Sequence, residues 1–311
     1  MKLKSAIVNG SLGSIGLALV NQLLRRGAKV YAVAFPGDPR IDRIPEGATV
    51  IPCDMRQIDR LTELIKEPAD AFFHLAWAGT IGPGRDDMLL QTQNIRCAIE
   101  AAQTAAKLGC EVYVGVGSQA EHGRIEGKIT AAAPCFPTNG YGMAKLCAGQ
   151  MTRVVCRQLG VRHVWARVLS VYGANDGPLS VMSILLDKLT RGEKPSLTAG
   201  EQMWDYLYAE DAGDALCCMA ENGRDGAVYP VGSGRTRPLR EYFEALRDAV
   251  DPKLPLGLGE IPYPPNQVMH LEADISELTR DTGFTPRTSF EDGIREVLAK
   301  YMQRQANQSG T

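Results

Sequence analysis

The stretch Ser5-Ala6-Ile7-Val8-Asn9-Gly10-Ser11-Leu12-Gly13-Ser14-Ile15-Gly16 decides the fold of this chain. It begins with an apolar run, and Leu17, Leu19, Val20, Leu23 and Leu24 follow it at helical spacing, so the segment reads as strand, tight turn, helix. Glycines let such a turn bend sharply and let its backbone approach a ligand closely. The unpaired N–H groups at the start of the helix favour negative charge. A dinucleotide's pyrophosphate docks at turns of this kind, which makes Gly10, Leu12, Gly13, Ser14, Ile15 and Gly16 candidate cofactor contacts.

Outward from that turn, short apolar or β-branched runs alternate with longer helical patterns. Strands are expected at Lys29 to Ala34, Thr49 to Pro52, Ala71 to Leu75, Glu111 to Val116 and His163 to Val168. Helices are expected at Ile15 to Arg26, Asp59 to Lys66, Asp87 to Leu108 and Tyr141 to Leu159. The alternation implies an α/β fold, a doubly wound parallel Rossmann sheet with ligands at the carboxyl ends of its strands. After about Gly173 the alternation breaks up at Gly177-Pro178, Gly192, Pro195 and Gly200, and a Pro-rich passage runs from Pro252 to Pro265. A smaller C-terminal substrate-binding lobe is expected there, with a strand at Ala227 to Val231 returning to the main sheet. Residues 1–172 and a returning segment of about 205–236 then form the dinucleotide-binding domain, 173–204 and 237–305 the lobe, and 306–311 a tail.

A chain of 311 residues with 44% hydrophobic content can bury a sizeable core. A net charge of -2 without a basic stripe argues against nucleic acid and for a small-molecule partner. No apolar stretch approaches the roughly 20 residues that span a bilayer, and Met1-Lys2-Leu3-Lys4 leads directly into a strand, so a cytoplasmic protein without membrane contact is expected. The eight cysteines form no CxxC pair and have no histidine at metal spacing. They read as reduced core residues, and no metal is expected.

Far downstream of the glycine turn stands Tyr141-Gly142-Met143-Ala144-Lys145. On a helix the tyrosine and lysine share one face, so the ammonium can lower the phenol's pKa from about 10 and make it a usable acid. Together with the glycine turn, the pair describes a nicotinamide-dependent enzyme. A surface Tyr–Lys pair is the bland alternative, but Pro137 just ahead and Ser118 upstream favour a catalytic set of Ser118, Tyr141 and Lys145. His74 ends a core strand and reads as a buried imidazole, while His122 and Glu121 remain open as substrate contacts.

These residues resemble the extended short-chain dehydrogenase/reductase family of nucleotide-sugar epimerases, dehydratases and 4-ketoreductases. The resemblance runs nearly end to end. It includes Cys53-Asp54-Met55, His74-Leu75-Ala76-Trp77-Ala78, Asn94, Val116-Gly117-Ser118, the stretch from Arg167 to Gly173, Trp204-Asp205-Tyr206 with Asp211, Val231-Gly232-Ser233-Gly234, and Ala273-Asp274 followed by Gly283-Phe284-Thr285-Pro286. It implies that Tyr141 moves the proton on the substrate oxygen, that Lys145 holds the ribose and that Ser118 fixes the same oxygen. Asp54 and Met55 would flank the adenine, Leu75, Ala76 and Trp77 would line the cofactor channel, and Asn94 would lie near the nicotinamide. Trp77, Gln119, Glu121, Ser170 and Trp204 are the implied substrate contacts. The resemblance also implies a homodimer through a four-helix bundle of Asp87 to Leu108 and Tyr141 to Leu159. Leu89, Ile95, Ala98, Ala101, Ala102 and Ala105 on the first helix, with Leu146, Ala148, Met151, Val154 and Val155 on the second, offer the apolar surface for it.

Three positions depart from the family's pattern. Ala34 stands where an acid selects NAD, and Arg40 or Arg43 could meet a 2′-phosphate, so NADP(H) is favoured; Asp38 keeps NAD(H) possible. Gln119 and Ala120 stand where dehydratases carry an acid pair, which makes dehydration the least expected reaction. Trp204 and Pro264 or Pro265 stand where diphosphate-gripping arginines are usual, leaving Arg191, Arg235, Arg237 and Arg240 as substitutes. The leading expectation is a nucleotide-sugar 4-ketoreductase. A 4-epimerase with tightly bound NAD is the alternative, and a non-catalytic NAD(P)-sensing protein is the rival from another class, against which the intact Ser-Tyr-Lys set speaks.

Overall fold

Ala6, Ile7 and Val8 have no exposed surface, so the first strand is buried on both faces and reads as a continuous apolar run. The computed structural model describes residues 2–265 and 267–309. Its strands are β1 (Ser5–Asn9), β2 (Lys29–Ala34), β3 (Ala48–Pro52), β4 (Ala71–His74), β5 (Val112–Ser118) and β6 (Arg162–Val168). They continue with β7 (Ser170–Tyr172), β8 (Met203–Trp204), β9 (Tyr206–Tyr208), β10 (Ala227–Val231), β11 (Arg237–Pro238) and β12 (His270–Leu271). The helices are α1 (Ser14–Arg25), α2 (Leu61–Leu64), α3 (Met88–Lys107), α4 (Gly140–Leu159), α5 (Val181–Thr190), α6 (Ala209–Asn222), α7 (Leu239–Val250), α8 (Ser276–Thr282) and α9 (Phe290–Ser309).

Seven strands form one parallel sheet in the order β10-β6-β5-β4-β1-β2-β3, and β10 does return to its edge beside β6. The order reverses between β1 and β4, the switch point at which open α/β sheets bind ligands. On one face, Leu19, Val20 and Leu23 of α1 pack with Ala212, Leu216 and Met219 of α6. On the other, Ala101, Ala102 and Ala105 of α3 pack against Phe72 and Tyr113.

Two expected elements differ. The helix expected at Asp59 to Lys66 is a 3-10 turn over Met55–Arg60 followed by the single turn α2, because Asp54 caps the turn at Arg56 N and Gln57 leaves helical geometry (φ -129, ψ 35). The expected tail at 306–311 is helical as far as Ser309, the end of α9; residues 310 and 311 lie outside the described residues.

The second core gathers Tyr172, Leu185, Tyr242, Phe243, Phe290 and Ile294 from segments on both sides of β10. The wholly buried Asp205 joins the late segments: it accepts Ser233 N at 2.7 Å, Ser233 Oγ at 2.7 Å, Gly234 N at 3.0 Å and Ala273 N at 3.2 Å. Four donors on one carboxylate offset the cost of burying its charge, and this explains why the Trp-Asp, Val-Gly-Ser-Gly and Ala-Asp elements occur together. All eight cysteines are free, and Cys53, Cys97, Cys110, Cys156 and Cys217 are buried. Among the described residues no helix is long and apolar enough to cross a membrane, and no cluster of potential metal ligands occurs.

Candidate active site

Gly10 has φ +92, and a Cβ there would lie 2.5 Å from Ala76 N; at Gly16 a Cβ would lie 2.2 Å from Gly10 O. The turn after β1 therefore presses directly onto the loop after β4, which only glycine permits. Gly13 is the N-cap of α1 and offers no side-chain cap, so the first-turn N–H groups remain for a ligand. A cleft of about 610 Å³ opens here. Gly10, Leu12, Gly13, Arg40, Asp54, Met55, Leu75, Ala76 and Trp77 all line it, while Ser14, Ile15 and Gly16 lie behind in the first turn of α1.

At the end of β2 the cleft wall is Ala34, Phe35, Asp38 and Arg40. Arg40, one of the two arginines expected to meet a 2′-phosphate, is paired with Asp38: Nη2 donates to Oδ2 at 2.7 Å and Nε to Oδ1 at 2.9 Å. This pairing holds the Asp38 carboxyl down at about 2. Beside it, Arg56, which the sequence reading missed, donates to both oxygens of Asp54. Arg43 is exposed on the 3-10 turn Ile41–Arg43.

Ser118 ends β5 and caps the 3-10 turn Gln119–Glu121. Tyr141 and Lys145 lie in the first two turns of α4, whose start is fixed by Asn139 Oδ1 accepting Gly142 N at 2.8 Å and by Asp86 Oδ1 accepting Gly140 N at 2.8 Å. Lys145 Nζ donates to Val116 O at 2.6 Å and stands 3.9 Å from the centre of the Trp77 ring. Burial pushes its pKa down to about 7, against the pull of Glu121. Burial raises that of the Tyr141 phenol, while a hydrogen bond with the Ser118 hydroxyl and the Arg85 charge pull it down. The acidified phenol expected from the Tyr–Lys spacing is thus not realised here, because desolvation outweighs the nearby cations and the ammonium is turned to a backbone carbonyl. Trp77 lines the cleft and meets Tyr141 edge to face at 6.3 Å, so the Tyr–Lys pair adjoins the cleft through that ring.

The remaining expected contacts divide. Glu121 is wholly buried: Oε1 accepts Ser118 N at 2.9 Å and Trp165 Nε1 at 3.0 Å, and Oε2 accepts Arg167 Nε at 2.7 Å. Its oxygens are spent inside the fold, so it is not open to a substrate. His122, also buried, bonds Pro134 O at 2.9 Å through Nδ1 and Arg167 Nη1 at 3.4 Å through Nε2. His74 is buried as expected, with Nδ1 3.0 Å from Asn9 Nδ2, but Nε2 has no partner; burial pushes its pKa down to about 3, so it is neutral. Asn94 is a splint: Oδ1 accepts Ala78 N at 3.0 Å and Nδ2 donates to Ala78 O at 2.9 Å. Gln119 is half-buried beside Ser118. Trp204 and Ser170 come together, Nε1 donating to Oγ at 2.8 Å. Arg191 pairs with Asp187 and Glu193, and Arg237 with Glu291; Arg235 and Arg240 are exposed.

Arg85 and Gln91 were also missed. The Arg85 guanidinium stacks 4.5 Å from the Tyr141 ring centre, and Gln91 Oε1 accepts Trp77 Nε1 at 2.8 Å. Arg85 carries no sequence signal beyond its glycine-rich loop. Gln91 and Asn94 were detectable as polar residues three apart on the inward face of a helix.

The description of the NAD-dependent epimerase/dehydratase family matches residues 6–232. The dTDP-4-dehydro-6-deoxyglucose reductase of Escherichia coli is 21% identical over 308 residues, covering 94% of this chain and 96% of its own. The dTDP-glucose 4,6-dehydratase of Neisseria meningitidis is 23% identical over 337 residues, covering 96% and 94%. The solved UDP-N-acetylglucosamine 4-epimerase from Methanobrevibacter ruminantium, in complex with UDP-N-acetylmuramic acid, shares the fold with a TM-score of 0.87 at 22% identity, covering 98% of this chain and 100% of its own.

Proposed function

This chain belongs to the NAD-dependent epimerase/dehydratase family, and within it we propose an NAD(P)-dependent reductase acting on the carbonyl of a nucleotide-linked 4-keto-sugar. The observation that carries the reading is that Tyr141, beside Ser118, and Lys145 meet the ring of Trp77, a residue that lines the cleft at the glycine turn. A reduced nicotinamide bound in the cleft supplies the hydride. Tyr141 Oη gives its proton to the carbonyl oxygen, the Ser118 hydroxyl fixes that oxygen, the Arg85 charge over the ring eases the phenol's loss of its proton, and Lys145 holds the cofactor's ribose.

Dehydration of a sugar needs an added acid and base. Gln119 and Ala120 supply neither, and Glu121, the next residue, is bonded to Ser118, Trp165 and Arg167. Reduction without elimination therefore fits the residues better, in line with a full-length relative named as a 4-dehydro-sugar reductase. Trp204, pinned at Ser170, offers a flat face for a base or a ring. The lobe of residues 173–204 and 237–305 holds the sugar nucleotide in this reading, and Ala34 with Arg40 leans the cofactor toward NADP(H).

Purified protein incubated with dTDP-4-dehydro-6-deoxyglucose and NADPH should consume the reduced cofactor stoichiometrically with substrate. Protein that instead carries a tightly bound nicotinamide through purification, and interconverts UDP-hexoses without added cofactor, would replace the reductase with a 4-epimerase.

A further inference from the structure

The loop after β4 is pinned on both sides of Trp77. Leu75 N and Ala76 N donate to Asn9 O at 2.8 and 3.0 Å; Ala78 is held through both its backbone groups by Asn94; and Gln91 Nε2 donates to Gly79 O at 3.0 Å and Gly84 O at 2.8 Å. The other end of the Gln91 amide accepts the indole Nε1–H at 2.8 Å. Gln91 and Asn94 are themselves buried, so the indole cannot swing without giving up its hydrogen bond to an amide that is fixed at its other end. Its face lies 3.9 Å from Lys145 Nζ, and its ring meets Tyr141 at an interplanar angle of 89°.

We infer that Trp77 is the positioning residue of this site: its indole face, locked by Gln91, keeps the Lys145 ammonium charged and aimed beside Tyr141. An ammonium has three donors, and Val116 O takes one. A carboxylate in place of the indole would neutralise the charge and repel a pyrophosphate. An aromatic face stabilises the cation while adding no negative charge.

Among the titratable groups around the ammonium, only Glu121 also favours its charge, and it does so without contact. Glu121 pulls the other way from burial through its charge but touches Ser118, Trp165 and Arg167 rather than the ammonium, His74 of β4 is neutral, Tyr141 on the same helix lies 5.9 Å from Nζ by its ring centre, and Arg85 over that ring is a like charge. Burial drives Lys145 toward its neutral form, and the indole works against that drive.

The inference rests on the catalytic reading of Tyr141 and Lys145, but its test needs neither substrate nor turnover. Carbon-13 labelling of the lysine ε-carbons, with Lys145 assigned by its loss in Lys145→Arg, reports that side chain's titration by NMR in the unliganded protein. Trp77→Leu should move the midpoint down by about half a pH unit or more, and Trp77→Phe by less, since a benzene face is the weaker cation partner. An unchanged or raised midpoint in folded Trp77→Leu would overturn the inference. If that variant does not fold, judged by near-UV circular dichroism, an unchanged or raised midpoint in Trp77→Phe overturns it equally. A failed reductase assay leaves this titration, and so the inference, untouched.

Discussion

Arg167 Nε donates to Glu121 Oε2 across 2.7 Å in the protein interior, with the two side chains 5% and 1% exposed. The same carboxylate holds Ser118 N, so the charge pair sets the end of β5 from which the Ser118 hydroxyl projects. Removing one partner of such a pair leaves an uncompensated buried charge. Glu121→Ala should cost about 3–5 kcal/mol of unfolding free energy. Urea denaturation checks this, and a loss below about 1 kcal/mol, the scale of an exposed pair, would show that the pair is not what holds this corner.

The buried histidines make stability depend on pH. Thr152 Oγ1 donates to Ala148 O at 2.7 Å and accepts His163 Nε2 at 3.0 Å, which leaves Nδ1 without a partner in a ring that burial holds down at about 4. In the unfolded chain this group titrates near 6.5. Below that pH the unfolded state takes up a proton that the folded state refuses, so stability is full above about pH 6.5 and falls as the pH drops toward 4, by at most about 1.4 kcal/mol per unit. His163→Gln should flatten the slope of unfolding free energy in this window. An identical slope in the variant would mean that His163 is protonated in the fold.

Cofactor choice turns on Ala34 and the Asp38–Arg40 pair. NADPH should bind at least as tightly as NADH, with the 2′-phosphate drawing Arg40 from Asp38. Titration calorimetry on the wild type and on Arg40→Ala decides this. NADH tighter by tenfold, about 1.4 kcal/mol, or NADPH affinity unmoved by the substitution, would reverse the preference.

The expected homodimer rests on less surface than the sequence suggested. Ala98, Ala101, Ala102, Ala105 and Ala148 are core within one chain, whereas Leu89 at 85%, Met151 at 44% and Val154 at 40% remain exposed on α3 and α4. These three are the residues to test. Wild type should sediment as a dimer at micromolar concentration, and Leu89→Glu with Met151→Glu should give a species near 33.7 kDa. A wild-type species of that mass with full activity would dismiss the dimer.

The alternation of strands and helices was legible because parallel strands buried on both faces are continuous apolar runs; β2 and β10 occupy the expected residues. The glycine turn was legible because a positive φ at Gly10 and contact with Ala76 leave no alternative residue. What stayed hidden was partnership. Nothing in the spacing says that Glu121 turns inward to Arg167, that Arg40 answers to Asp38, or that the α3 alanines face Phe72 and Tyr113 rather than a second chain. Apolar periodicity marks a face without naming what covers it. The Trp77–Lys145 contact joins residues on different elements through packing alone.

The central claim is that Tyr141 delivers the proton in a nicotinamide-dependent reduction. The direct measurement is single-turnover oxidation of NADPH with dTDP-4-dehydro-6-deoxyglucose, wild type against Tyr141→Phe, alongside NADPH affinity for both. The account predicts a fall of about 10²–10⁴-fold in rate with affinity nearly intact; a folded variant reducing the substrate at the wild-type rate would contradict it.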